Sequence, residues 1–126
     1  MRILAVDDEK GYLCLLGDLL RGYGFEVLLA ENGKQARELL EGEKIDMIIS
    51  DVHMPTLDGV AFHSYVREFT EAREAPFIFI SGMDDAKTRG AVVKPGLDFF
   101  LKKTTPVDEI VSLIRSLEVS IAAKSI

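Results

Sequence analysis

Asp7 and Asp8 stand side by side near the start of the chain, Asp51 lies near its middle, and Ser81, Lys102 and Lys103 come late. Any chemistry they share depends on the fold bringing them together. Three carboxylates at one mouth repel each other, so either their pKa values rise or a cation sits among them. Oxygen-only ligands and high charge favour a hard divalent ion, and Mg2+ typically takes one or two protein carboxylates, several waters and a phosphate oxygen. A metal ion and an ammonium group would then neutralise the equatorial oxygens of a phosphoryl group while a carboxylate acts as nucleophile. Taken alone, Asp7 and Asp8 also fit a turn or helix cap. Lys103 taken alone also fits a solvated charge at a strand end.

The elements that must position these residues are short apolar runs alternating with longer stretches of helical period. Arg2 to Val6, Glu26 to Ala30, Asp46 to Ser50, Phe77 to Ile80 and Leu97 to Leu101 read as strands. Most are continuous apolar runs, as a parallel sheet covered on both faces requires. Leu13, Leu16 and Leu20 mark the face of a first helix, and Phe62, Tyr65, Val66 and Phe69 that of a third. Asn32 with Gln35, and Thr105 with Pro106 and Asp108, open the second and fifth helices as capping boxes. The fourth helix, Asp84 to Val93, has a weak apolar face; Asp84 and Asp85 read as its solvent-facing start. The pattern predicts an α/β fold, a flavodoxin-like (βα)5 doubly wound sheet with strand order 2-1-3-4-5. Ligands of such a sheet bind beyond the carboxyl ends of the strands where the winding reverses, between the first and third. Asp7, Asp8, Asp51, Ser81, Lys102 and Lys103 each directly follow a strand at that edge.

Composition bounds what else the chain does. With 126 residues and 48% apolar content it forms one domain, expected over 1–121, with 122–126 a tail or the start of a linker. Fifteen basic against 21 acidic residues leave a net charge of −6, without the basic footprint that direct nucleic-acid binding relies on. Cys14 is the one cysteine, which excludes an intrachain disulfide and points to a reducing compartment. No apolar run is long enough to span a bilayer and no signal-peptide layout opens the chain, so a cytoplasmic, membrane-free protein is expected. Gly22-Tyr23-Gly24 lacks the rest of a phosphate-loop motif and reads as a turn.

With these residues in place, the chain resembles the receiver domains of two-component response regulators. The matching text is VDDE at Val6 to Glu9, DVHMPTLDG at Asp51 to Gly59, SG at Ser81 and Gly82, and GLDFFLKK at Gly96 to Lys103. The resemblance spans essentially the whole chain. It implies that Asp51 is the phosphoacceptor and that Asp7, Asp8 and Asp51 hold Mg2+, with Asp8 bound directly and Asp7 through water. The backbone carbonyl of His53 would complete the protein's share of the metal ligands. Ser81 resembles the switch hydroxyl, Lys103 the phosphoryl-binding lysine (with Lys102 the alternative), and Phe100 the aromatic switch residue. Phe100 also fits a plain core residue, because Phe99 and Phe100 alternate faces and only one would point inward.

The implied activity is a phosphorylation-controlled switch: a partner histidine kinase or histidine phosphotransfer protein supplies the phosphoryl group, and a downstream target or fused output domain reads the state. The surface of the fourth helix, fifth strand and fifth helix would carry the readout or a dimer contact. The chain departs from the family pattern at Thr104, where proline usually follows the lysine through a cis bond; before threonine a trans bond is expected, because cis costs about 2.5–4 kcal/mol. Met83 and His53 occupy positions expected to tune the lifetime of the phosphorylated state. Three readings compete: a phosphorylation-independent pseudo-receiver, a haloacid dehalogenase-like phosphatase, and a flavodoxin-like electron carrier. The phosphatase reading lacks an aspartate two residues after Asp51, and Asp7, Asp8 and Glu9 would repel a flavin phosphate.

Overall fold

The computed structural model describes residues 1–54, 58–82, 89, 90, 92 and 94–124. Five strands, β1 (Arg2–Val6), β2 (Glu26–Ala30), β3 (Met47–Asp51), β4 (Phe77–Ser81) and β5 (Asp98–Lys102), form one sheet in the order β2-β1-β3-β4-β5. All four pairings are parallel, as the apolar runs predict. Four helices are present among the described residues: α1 (Lys10–Gly22), α2 (Gly33–Gly42), α3 (Gly59–Phe69) and α4 (Val107–Lys124). The fourth helix expected from the sequence, with Asp84, Asp85 and Met83 just before them, falls mostly outside the described residues; α4 is the expected fifth.

Alternation along each strand divides the interior into two clusters. Ile3, Ala5, Ile49, Ile78 and Ile80 face the side of α1 and α4, where Leu13, Leu16, Leu20, Ile110 and Ile114 meet them. Leu4, Val6, Ile48, Phe77 and Phe79 face α2 and α3, against Ala36, Leu40, Phe62 and Val66. Each large apolar side chain so buried contributes about 1.5–3 kcal/mol. Neither face can therefore be left open to water.

Local signals set the element ends. Asn32 caps α2 by accepting from the Gln35 N–H at 2.9 Å as its spacing predicts, and the Gln35 side chain accepts from Glu31 N–H at 2.8 Å, one residue before the N–H of a capping box. At α4 the Pro106 carbonyl accepts the first helical bonds and the helix begins one residue later than expected. Gly24 adopts φ +94°, the left-handed turn that ends α1, so the Gly-Tyr-Gly segment is a turn. Three strands lie one residue later than the apolar runs or extend one further, because their pairing takes in the polar residues Asp51, Ser81 and Lys102.

Two expectations are corrected. Phe69 was expected on the buried stripe of α3, but it is 73% exposed, while Phe62 and Val66 fill the core. Phe99 and Phe100 both pack inward, one into each cluster, because helices cover both faces of the sheet.

Candidate functional site

Parallel register brings the acidic residues together. Val6 lies opposite Ser50, so Asp7 leaves β1 beside Asp51 at the end of β3, and the Asp7 N–H bonds the Ala30 carbonyl of β2 at 3.1 Å. Carboxylate oxygens of Asp7, Asp8 and Asp51 all lie within 4.8 Å of one another. Asp7 and Asp51 are buried and Asp8 is exposed. Asp51 is opposite Ile80 on β4, which puts the fully buried Ser81 one residue beyond it at the same edge. His53 is exposed just past β3.

Asp7 combines the two roles its type allows. Its Oδ1 accepts from Glu9 N–H at 2.8 Å, a turn that starts α1, while Oδ2 is aimed into the site, buried and without an aligned hydrogen-bond donor. Lys103 approaches that oxygen at 2.8 Å as an ion pair. The same ammonium lies 3.0 Å from Glu9 Oε2 and 3.8 Å from Asp51 Oδ1. Lys103, not the exposed Lys102, is the lysine that reaches the site. Its backbone N–H bonds the Ser81 carbonyl at 2.8 Å, tying the end of β5 to the end of β4. The Lys103–Thr104 peptide is trans, as expected without proline.

The electrostatics follow from burial. Desolvation, with Asp7 as the nearest like charge, pushes the Asp51 carboxyl up to about 6. Burial also raises Asp7, against the pull of Lys103. Burial works against the charge on Lys103, but its contacts with Asp7 and Glu9 outweigh this and hold it protonated. The buried Oδ2 of Asp7, the carboxylate spacing and the all-oxygen donor set fit a hard divalent cation. Clustered carboxylates beside an ammonium group are an arrangement suited to phosphoryl chemistry.

Packing beneath β3 fixes the backbone of Asp51. Ser50 donates to the Asp51 carbonyl at 2.9 Å, and Gly59 N–H bonds the Val52 carbonyl at 2.7 Å. A methyl group on Gly59 would drive into the Asp51 carbonyl oxygen and the Val52 Cα. Gly59→Ala is therefore expected to lower stability by about 1–3 kcal/mol, measured by urea unfolding; an unchanged midpoint would show that the loop yields.

Pairing and alternation account for the expected residues, but two features have no signature in the sequence motifs. One is the approach of Glu9 and Tyr12, three apart on the first turn of α1, to Lys103. The other is a buried polar cluster beneath the opposite face: Asp98 Oδ1 accepts from Arg67 at 2.6 Å and meets His63 Nε2 at 2.8 Å. The i, i+4 spacing of His63 and Arg67 on α3 was the available signal. Phe100 is half-buried against the α2–α3 cluster, with the Arg89 guanidinium 5.9 Å over its ring. Pro55 and Met83 lie outside the described residues.

Comparison with known proteins agrees with the geometry. Residues 3–115 match the family model described as the response regulator receiver domain. The chain is 32% identical over 117 residues to the response regulator MprA of Mycobacterium leprae, covering 93% of this chain and 50% of MprA. It is 33% identical to an uncharacterised 14.6 kDa protein of Leptolyngbya boryana, covering 91% of this chain and 88% of that one. Among solved structures, it is similar to the response regulator TrrA of Thermotoga maritima in complex with Mg2+ and BeF, with a TM-score of 0.79, 28% identity, and 92% and 97% of the two chains covered. The chain spans half or less of the length of MprA and of most of the curated relatives it matches. Among the described residues, no helix is long and apolar enough to cross a membrane.

Proposed function

Because the chain belongs to the response regulator receiver domain family, we propose that it is a switch controlled by phosphorylation of Asp51. The observation that carries this reading is the meeting of Asp7, Asp8 and Asp51 with Lys103 at one sheet edge. Asp51 Oδ would attack the phosphorus of a phosphohistidine on a partner histidine kinase or histidine phosphotransfer protein. The P–N bond breaks, its electron pair returns to the imidazole, and an aspartyl phosphate remains. Lys103 is held protonated 3.8 Å from Asp51, so it can pair with the arriving phosphoryl oxygens without a proton transfer. Ser81 would supply a hydroxyl to the same group.

Asp7, Asp8, Asp51 and the His53 carbonyl are the residues that would hold Mg2+, which when bound offsets the charge of carboxylate and phosphoryl group. The new anion draws Lys103 and Ser81 toward it only in the phosphorylated state, which is what biases a two-state equilibrium. Phe100 on β5, beside Arg89, lies where that shift would reach the surface read by a downstream target or a fused output domain. Leu15 and Leu19, exposed on α1, offer the phosphodonor an apolar ledge next to the site. Turnover of a separate substrate is not part of this reading: a phosphatase of the haloacid dehalogenase type would need a carboxylate where exposed His53 stands.

Beryllofluoride, which mimics a phosphoryl group on a carboxylate, tests the proposal. Calorimetry should record binding that requires Mg2+. No heat with Mg2+ present would favour a pseudo-receiver instead.

A further inference from the structure

We infer that Tyr12 is a positioning residue for Lys103, its ring forming the wall against which the ammonium group moves between carboxylate and phosphoryl partners. The inference rests on the function proposed above. Lys103 Nζ sits 4.8 Å from the centroid of the Tyr12 ring, within the range where the negative face of an aromatic ring attracts a cation. Among the described residues, the ammonium also forms ion pairs with three carboxylates, those of Asp7, Glu9 and Asp51.

These neighbours restrain the lysine differently. A carboxylate holds the ammonium at one point, whereas a ring face is broad and lets it shift sideways with little loss. Glu9 is exposed, and its hold is screened by solvent. Tyr12 is half-buried against the α1–α4 core, which restrains its ring. Burial pushes its hydroxyl up to about 12, so it presents an uncharged face at neutral pH. The Lys103 N–H is held to the Ser81 carbonyl at 2.8 Å, so the freedom left to the ammonium lies in the four-carbon side chain, and it is there that the ring acts. With the ring removed, that side of the lysine would open to water, and part of the interaction that keeps the ammonium beside Asp51 would be lost.

Two readouts test this on the intact chain, comparing wild type with Tyr12→Leu, Tyr12→Met and Tyr12→Phe. Methionine is flexible enough to fill the space should leucine disturb folding. In the metal-free protein, NMR should show the Lys103 ε-methylene protons shifted upfield by the ring in wild type and Tyr12→Phe, and returned to ordinary values in the two aliphatic variants. With Mg2+, the affinity for beryllofluoride should fall roughly 3- to 30-fold in the aliphatic variants and recover in Tyr12→Phe, as expected for a partly desolvated cation–π contact. A merely structural tyrosine would leave the methylene shift unrelated to binding. The inference is overturned if the ε-methylene shifts are the same with and without the ring, or if wild type and both aliphatic variants bind beryllofluoride equally. Failure of wild type to bind would instead sink the proposed function, while the methylene shift still decides whether the ring holds the lysine.

Discussion

Asp51→Asn is expected to take up no phosphoryl group from acetyl phosphate or a cognate kinase and, without metal, to be more stable than wild type at neutral pH. The first effect follows from removal of the nucleophile. The second comes from the raised carboxyl, whose ordinary value is 3.8 and whose folded value is about 6. The folded state then binds a proton more tightly than the unfolded state. This favourable contribution is complete below about 3.8 and is lost as pH rises through about 6. At neutral pH the ionised group is a net penalty, on the order of 3 kcal/mol at about 1.4 kcal/mol per tenfold change in proton affinity. Asparagine removes the charge and its repulsion by Asp7. Urea unfolding across pH would show the gain shrinking as pH falls from 7 toward 4, where wild type is itself protonated. Labelling of the variant would overturn the assignment, and a stability below that of wild type at neutral pH would show that the buried charge is not a net penalty.

The second large effect lies far from the mouth of the site. Asp98→Asn should destabilise the fold by about 3–5 kcal/mol, because it leaves the Arg67 guanidinium buried without its counter-charge. Arg67 also donates to the Ala75 carbonyl at 2.6 Å and the Arg73 carbonyl at 3.0 Å, so it staples the loop after α3 to the start of β5. For a domain of this size the loss corresponds to roughly 10–20 °C in melting temperature. A fall of less than a few degrees would show that water relieves the cluster. Burial works to raise the Asp98 carboxyl, but the bonds from Arg67 and His63 outweigh it and hold the group below its ordinary value. Its pH dependence therefore has the opposite sign to that of Asp51: the stabilisation is present at neutral pH and is lost as pH falls through the lowered folded value. Phosphoryl acceptance should survive in the folded fraction of this variant, since Asp98 opens β5 and Lys103 follows its far end at the mouth.

The two sites were not equally legible in the sequence. Asp7, Asp8, Asp51 and Lys103 could be placed together because each ends a strand, and a parallel sheet puts all strand ends of one sense on one edge. The strands were legible because they are apolar on both faces; their last residues were less so, since Asp51, Ser81 and Lys102 join the ladder despite being polar. Asp98 is separated from Arg67 by 31 residues and from His63 by 35, and no periodicity links them. Burial of an ion pair depends on how α3 lies against β5, a tertiary fact. Phe69 failed for a related reason: its spacing put it on the apolar stripe, but as the last residue of α3 it is turned out to solvent while Val66 and Thr70 on either side of it are buried. For Glu9 and Tyr12, the helical spacing was visible but the direction from which Lys103 would approach was not.

The turn at the start of α1 also bears on which ion the acidic mouth would accept. Since Oδ1 of Asp7 already accepts from Glu9 N–H, one of its lone pairs is occupied, which favours binding of a cation through Oδ2 over chelation by both oxygens. Calcium takes six to eight oxygens and can use carboxylates bidentately, whereas magnesium accepts single oxygens in a small octahedron and keeps several waters. A backbone hydrogen bond that begins a helix thus biases denticity, and with it the radius of the cation the mouth would prefer.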